Sequence, residues 1–591
     1  MKTAGKWAVL QMITTLASAL VLPSAASAVP PSIRIEVQPR FGDAPLVFDA
    51  LTNVTAAGQS ISVTRLDFLL SKMALRHAGG GWLEQSNQFA YVSGREGRTS
   101  FTLSNVPVGD YDRIRFSVGV PERENHASPG GLAAGHSLNP NVNGLHWSWQ
   151  GGYVFLALEG DWLKPDGRQS GYSYHVATDR LFMTVELPLQ LELNADRELR
   201  LSLNVDRLFA VQRRIRITDE STSTHSRADD QLAAQLRENV ERAFAVTDIR
   251  VAAPAQAEPQ GVKKVEMAST ATPYRLTISR FFPQPALPLD NPLTEEGVEL
   301  GRLLFHDTRL SINNRQSCAS CHRDEAAFTD ARRYSLGAEG QVGTRNAMPL
   351  LNLAWKNSFF WDGRAPSLRE QVLLPIQDSA EMHETLANVV GKLNAVASNG
   401  VLFARAFGTP DITADRIARA LEQFLLTRIS RSSKFDRTLE GKAELTGDEK
   451  RGFELFHTEY DPRRGQFGAD CFHCHGGPLF QSQSFANNGL DTVFTDPGRH
   501  LVTKKEGDRG KFAVPSLRNV AITAPYMHDG RFSTLEDVMD HYASGVKRSP
   551  TLNPNLAKHP DGGVPLSADD KKALLAFLRT LTDERFELPR K

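Results

Sequence analysis

Cys318-Ala319-Ser320-Cys321-His322 and Cys471-Phe472-His473-Cys474-His475 decide the reading of this chain, and together they hold all four cysteines of its 591 residues. Each is a complete C-x-x-C-H unit, with two thiols able to bond the vinyl groups of a haem and an adjacent imidazole able to ligate its iron. Four cysteines in an exported chain would ordinarily form two disulfides. Disulfides, redox dithiols and zinc sites all leave unexplained a histidine placed directly after the second cysteine of both pairs. The sequence therefore predicts two covalently attached c-type haems, held by Cys318, Cys321 and His322 and by Cys471, Cys474 and His475.

Outward from each unit the surroundings repeat. Leu293-Thr294-Glu295 and Gly301-Arg302-Leu303-Leu304-Phe305-His306 lead into the first, and Leu445-Thr446-Gly447 and Gly452-Phe453-Glu454-Leu455-Phe456-His457 into the second. Both read as an amphipathic helix running into a haem loop. The two units stand roughly 150 residues apart, one small domain's length. Residues 276–435 and 436–591 are therefore expected to be two mainly α-helical cytochrome c-like domains in tandem. After His322 no methionine occurs before Met348 and no histidine before His383, so the first iron has no evident sixth ligand. An iron with an open position can bind peroxide, whereas a closed one only passes electrons.

Residues 29–250 have a different period. The segments 33–37, 101–104, 114–118, 183–187 and 199–203 alternate apolar and polar residues, the pattern of half-buried strands, and their number predicts an all-β sandwich. A polar helix is expected over about 229–245 and a linker over 251–275, rich in Ala, Pro, Gln and Glu. At the start, Lys2 and Lys6 flank an apolar run over 7–23 that ends in Ala26-Ser27-Ala28, the pattern of a signal peptide (1–28). Cleavage there would place the protein in the periplasm. Polar interruptions make the run too short to anchor, and no later stretch approaches the roughly 20 apolar residues of a membrane span. Lys+Arg and Asp+Glu are both 68, which gives no overall basic field for nucleic acid.

The C-terminal half, over roughly residues 275–585, resembles the bacterial dihaem cytochrome c peroxidases. The likeness rests on both haem units, Asn346, Phe360-Trp361-Asp362-Gly363-Arg364, Pro375-Ile376 and Glu381-Met382. It continues in Val514-Pro515-Ser516-Leu517-Arg518-Asn519 and Ala524-Pro525-Tyr526-Met527-His528-Asp529-Gly530. The resemblance implies that Trp361, which alone would pass as an ordinary core residue, relays electrons between the haems. It also implies that Glu381 and Gln371 face the open distal pocket beside Pro375. A carboxylate suits that place, because peroxide must lose a proton from one oxygen and gain one on the other. A calcium ion is implied between the domains, with Asn346 and backbone carbonyls near Ala513 and Pro515 as oxygen ligands.

At the sixth position of the second haem the family usually has methionine. Here Tyr542 falls at that position, with Met539, Met527, His528 and His541 as competitors. Tyrosine there resembles the methylamine-dehydrogenase maturation enzyme and the methanobactin-associated dihaem enzyme, which oxidise protein tryptophans. A phenolate oxygen favours oxidised iron more than a thioether does.

The N-terminal half resembles the copper-binding partner protein of the methanobactin-associated enzyme, through Asn125-His126, His146-Trp147-Ser148-Trp149-Gln150-Gly151-Gly152-Tyr153, Leu158-Glu159-Gly160 and Tyr174-His175. That likeness implies a tryptophan oxidised to kynurenine, with Trp147 or Trp149 as the target, and copper held by His126 and His175; His146 and His225 are weaker candidates. The absence of a spare cysteine argues against a blue-copper thiolate site. The combined expectation is a hydrogen-peroxide-using enzyme fused to its own substrate, an arrangement that raises effective concentration. Two rivals remain: a peroxidase that detoxifies hydrogen peroxide with electrons from a small redox protein, and a non-catalytic electron-transfer or copper-storage protein.

Overall fold

A computed structural model of the chain describes residues 30–147, 152–224, 229–252, 265, 267–461 and 465–586. The expected signal peptide, Trp149, His225 and most of the expected linker lie outside the described residues.

Every period-two segment lies in a strand. Ile33–Phe41 buries Ile33, Ile35 and Val37 and pairs in parallel with Arg197–Asn204 and antiparallel with Ser100–Leu103. Phe244–Val251 extends this smaller sheet along Arg197–Asn204. The larger sheet runs Met183–Leu193, Gly109–Val118, Arg65–His77 and Gly152–Leu163, and Gln169–Ala177 pairs with the last of these. Met183–Leu193 alternates strictly buried and exposed, as a strand with one wet face must. The two sheets share one core: Phe244 of the smaller sheet stands edge-on to Phe68 at 6.0 Å and Phe116 at 5.2 Å. The N-terminal half is thus the β-rich layer expected. Its helix, Gln231–Val240, is shorter than the 229–245 expected. Phe244 gains more from burial against Phe68 and Phe116 in a strand than it would on a polar helix.

Arg65–His77 breaks the alternation, buried from Leu66 through Ser71, and two neighbouring strands do so more fully. Gly152–Leu163 and Gln169–Ala177 are buried along nearly their whole length, so both faces of that sheet region are covered. The second cover is Pro554–Ala557 of the C-terminal half. A Cβ on Gly171 would stand 2.1 Å from the Pro554 carbonyl oxygen, so glycine permits the contact.

The C-terminal half repeats one packing device. Glu295–Phe305, capped by Thr294 accepting from the Gly297 N–H at 3.0 Å, packs on Ala414–Leu426. Gly447–Phe456, where Glu449 accepts from the Thr446 N–H at 2.6 Å, packs on Ala568–Arg579. At each crossing the same glycine of the repeat lets backbones meet: a Cβ on Gly301 would lie 1.9 Å from the Ala420 oxygen, and one on Gly452 2.0 Å from that of Ala573. The two helical cores are separate. They are tied by Arg518, which donates to both oxygens of Asp436 at 2.8 Å and lies 4.6 Å over the Phe282 ring. Phe435 belongs to the second core, and Phe586 returns to pack in the first. Among the described residues no helix is long and apolar enough to cross a membrane.

Candidate haem and peroxide site

Cys318 begins and Cys321 ends the short helix Cys318–Cys321, neither in a disulfide, and with His322 they line a cavity of about 1110 Å³. His322 Nδ1 donates to the Phe328 carbonyl at 2.9 Å, and burial holds the imidazole below its ordinary pKa. A neutral ring anchored through Nδ1 presents Nε2 as a metal ligand. Thiols, imidazole and cavity therefore fit a haem c.

Gln371, Pro375, Trp361 and Glu381 line the same cavity, as expected from sequence. Glu381 is set by its loop: its own N–H donates to Asp378 O at 3.0 Å, its carbonyl accepts from Ala338 N at 2.6 Å, and Met382 N donates to Pro375 O at 3.1 Å. Burial pushes the Glu381 carboxyl up to about 7, Asp378 adds to the rise, and Arg364 opposes it. Such a group exchanges protons at neutral pH.

Trp361 stands half-buried between the two helical domains. Its Nε1 donates to Asn346 O at 2.8 Å, and its carbonyl accepts from Ala513 N at 2.8 Å. Two residues on, Pro515 O accepts from Nδ1 of His475 at 3.1 Å. One stretch of backbone thus touches Trp361 and orients the His475 imidazole. The Asn346 side chain donates to Arg332 O at 3.4 Å and Arg333 O at 3.2 Å. Lys356, which carries no motif, lines the cavity with its Nζ donating to Val514 O at 3.1 Å, and burial pushes its pKa down to about 8.

Around the second unit Cys471 and Cys474 likewise form no disulfide, and His475 is held neutral by burial. This donor set also fits a haem c. Tyr542 sits in the single π-helical turn His541–Gly545 and packs in the same core as Cys471. π-turns recur at functional sites. The Asn488 amide donates to both the Tyr542 hydroxyl, at 3.4 Å, and the Met527 sulfur, at 3.3 Å. Two of the other competitors are engaged elsewhere, His541 Nε2 with Asn488 O at 2.9 Å and His528 stacked 3.6 Å from Phe512, while Met539 packs in the same core as Cys471 and Tyr542.

The β-domain covers this second unit. Trp147 stands edge-on to Phe472, between the two cysteines, at 6.1 Å, and edge-on to His175 at 6.0 Å. His175 Nε2 is 2.9 Å from Glu159 Oε1, and its ring is 5.2 Å from that of His473. Glu159 also accepts from Arg65 at 3.0 Å and, across the domain seam, from Asn555 at 3.0 Å. A cavity of about 860 Å³ along the seam is lined by Trp147, His175, His473 and Cys474. His126 lies apart from this group, with Nε2 2.7 Å from Asp179, and His146 is buried against Tyr153 with its pKa pushed down to about 4. No single-domain motif announces the seam, and the dense burial of Gly152–Leu163 and Gln169–Ala177 shows a second cover only in the folded chain.

The family model for di-haem cytochrome c peroxidases matches residues 295–444, and that for MbnP matches residues 30–226. The chain is 34% identical over 324 residues to methylamine utilization protein MauG of Methylophilus methylotrophus, covering 54% of this chain and 93% of that protein. With the cytochrome c551 peroxidase of Nitrosomonas europaea it shares 36% identity over 308 residues, 50% of this chain and 84% of the relative. A crystal structure of a MauG-like protein associated with microbial copper homeostasis is 34% identical and covers 53% of this chain and 97% of that one, with a TM-score of 0.47. Since the match to MauG takes in nearly all of that protein and the MbnP match falls within the sandwich, the chain belongs to the di-haem cytochrome c peroxidase family, oxidoreductases that act on peroxide, and carries an MbnP domain ahead of it.

Proposed function

We propose that this protein is a periplasmic enzyme that uses hydrogen peroxide to oxidise Trp147 of its own N-terminal domain to kynurenine. The observation that carries the reading is the contact of Trp147 with Phe472, inside the second haem-attachment loop. When bound, the haems supply peroxide O–O cleavage and hold the oxidising equivalents. Glu381 takes a proton from one peroxide oxygen and returns it to the other, and Gln371 helps hold the peroxide. Trp361 would couple the two sites, Tyr542 would help hold the second haem, and Asn346 would contribute to a calcium site. The tryptophan chemistry balances with two peroxides: the indole C2–C3 bond opens to N-formylkynurenine as two waters leave, and hydrolysis releases formate. Copper binding through His175 belongs to the same reading, because the new ketone and amine would lie beside that imidazole.

The test is peptide mass spectrometry of the haem-loaded protein before and after peroxide. Kynurenine is expected at Trp147, and its formation should slow at least a hundredfold in Glu381→Gln, within the usual worth of a general acid–base. Peroxide consumption with Trp147 and Trp149 both intact would overturn the reading. That result would favour a detoxifying peroxidase fed by a small redox protein.

A further inference from the structure

We propose that His175, His473 and Glu459 form a site for a divalent transition-metal ion of the zinc class, completed only where the β-domain meets the second haem domain. One ligand atom from each side chain lies within 4.8 Å of the others. His175 comes from the strand Gln169–Ala177, His473 from between Cys471 and Cys474, and Glu459 from just beyond the helix Gly447–Phe456. Neither domain alone holds the set.

The geometry at His473 points to an ion. Its side chain is 2% exposed, and its Nε2 stands 3.4 Å from Glu459 Oε1 and 3.4 Å from Asp470 Oδ1. That spacing is long for a hydrogen bond. It is natural for two ligands of one tetrahedral ion, whose bonds of about 2.0–2.1 Å put neighbouring donor atoms about 3.3 Å apart. The surrounding groups fit as well. A metal-bound imidazole usually gives its other ring N–H to a carboxylate, and Glu159 holds His175 in that manner at 2.9 Å. Arg65 and Asn555 fix Glu159, while Lys558 at 3.4 Å and His559 at 2.7 Å stand beside Asp470 as ion-pair neighbours. Two imidazoles and a carboxylate suit zinc, and also copper(II), over the all-oxygen preference of calcium or magnesium.

This site shares His175 with the copper binding proposed above but needs no oxidised tryptophan, so it goes beyond the proposed function and is tested separately from kynurenine formation. The haem-loaded full-length protein, stripped with a chelator, is titrated with Zn²⁺ alone, and retained zinc is counted by mass spectrometry after desalting. One zinc per chain is expected, in the wild type and equally in Trp147→Phe and His126→Ala. Glu459→Gln and His473→Gln should each weaken binding at least tenfold. Haem content is measured in parallel. Because His473 lies in the attachment loop, Glu459→Gln is the deciding variant should His473→Gln lose haem. No retained zinc, or retention indifferent to Glu459→Gln, would overturn the proposal.

Discussion

Glu381 is held by two backbone hydrogen bonds of its own and one of its neighbour Met382, and its carboxyl is raised by burial to about 7. Its carboxylate form is the one that can accept a proton from peroxide. The rate constant kcat/KM for peroxide should therefore climb as pH rises through about 7 and level off above it. Glu381→Gln should flatten that limb and lower the rate by about 10²–10⁴-fold, as initial rates across pH would read. An unchanged profile in the variant would assign the proton transfer elsewhere. The identity of Glu381, Gln371 and Trp361 was legible because they sit in motifs that resemble a family. The carboxyl's pKa was not, since it depends on the depth of a cavity and on Asp378 and Arg364. Lys356 escaped for a related reason: lysine is normally a surface residue, and its burial is set by packing that no local pattern encodes.

At the scale of elements, the paired helices carry the duplication. Thr294 and Thr446 mark their starts in the sequence, and Gly301 and Gly452 recur at matching places, but no local pattern marks the partner helices. Each glycine has the carbonyl of an alanine against it, Ala420 or Ala573. Gly452→Ala should force the crossing apart, costing about 1–3 kcal/mol. Gly447→Ala, at the open start of the same helix with nothing within 4 Å, should change stability little. Thermal melts of the two holoproteins check this, and equal melting temperatures would mean that the crossing absorbs the methyl group. The helix that ends short of 245 teaches the complementary point. Local polarity favours a longer helix, and the burial of Phe244 between two sheets overrides it.

For the whole molecule, the seam between the sandwich and the second haem domain is the decisive feature. At Gly171 the β-domain backbone meets Pro554 too closely for a side chain, with Lys558 N also within 2.9 Å of a Cβ there. Gly171→Ala must shift one domain against the other. Oxidation of Trp147 should then slow on the order of ten- to a hundredfold, the usual penalty for a small misplacement of reacting groups. Peroxide consumption with an added reductant should stay as in the wild type. A time course of modified peptide beside a peroxide assay separates these rates, and loss of both together would mean that the substitution damages the haem domain itself.

The sequence by itself determined the chemistry that is covalent and local: thiols and imidazoles in fixed order, period-two strands, capped helices and the repeat that joins the two haem units. These follow from short-range rules, so neighbouring residues suffice to state them. Only the tertiary structure decided which tryptophan among the described residues faces a haem loop, which histidines stand together, and how acidic Glu381 is. His175 and His473 are nearly three hundred residues apart in the chain, and their rings come within 5.2 Å because two independently patterned surfaces bury each other. Burial and electrostatics at that seam depend on groups from both domains, and no window of sequence contains both.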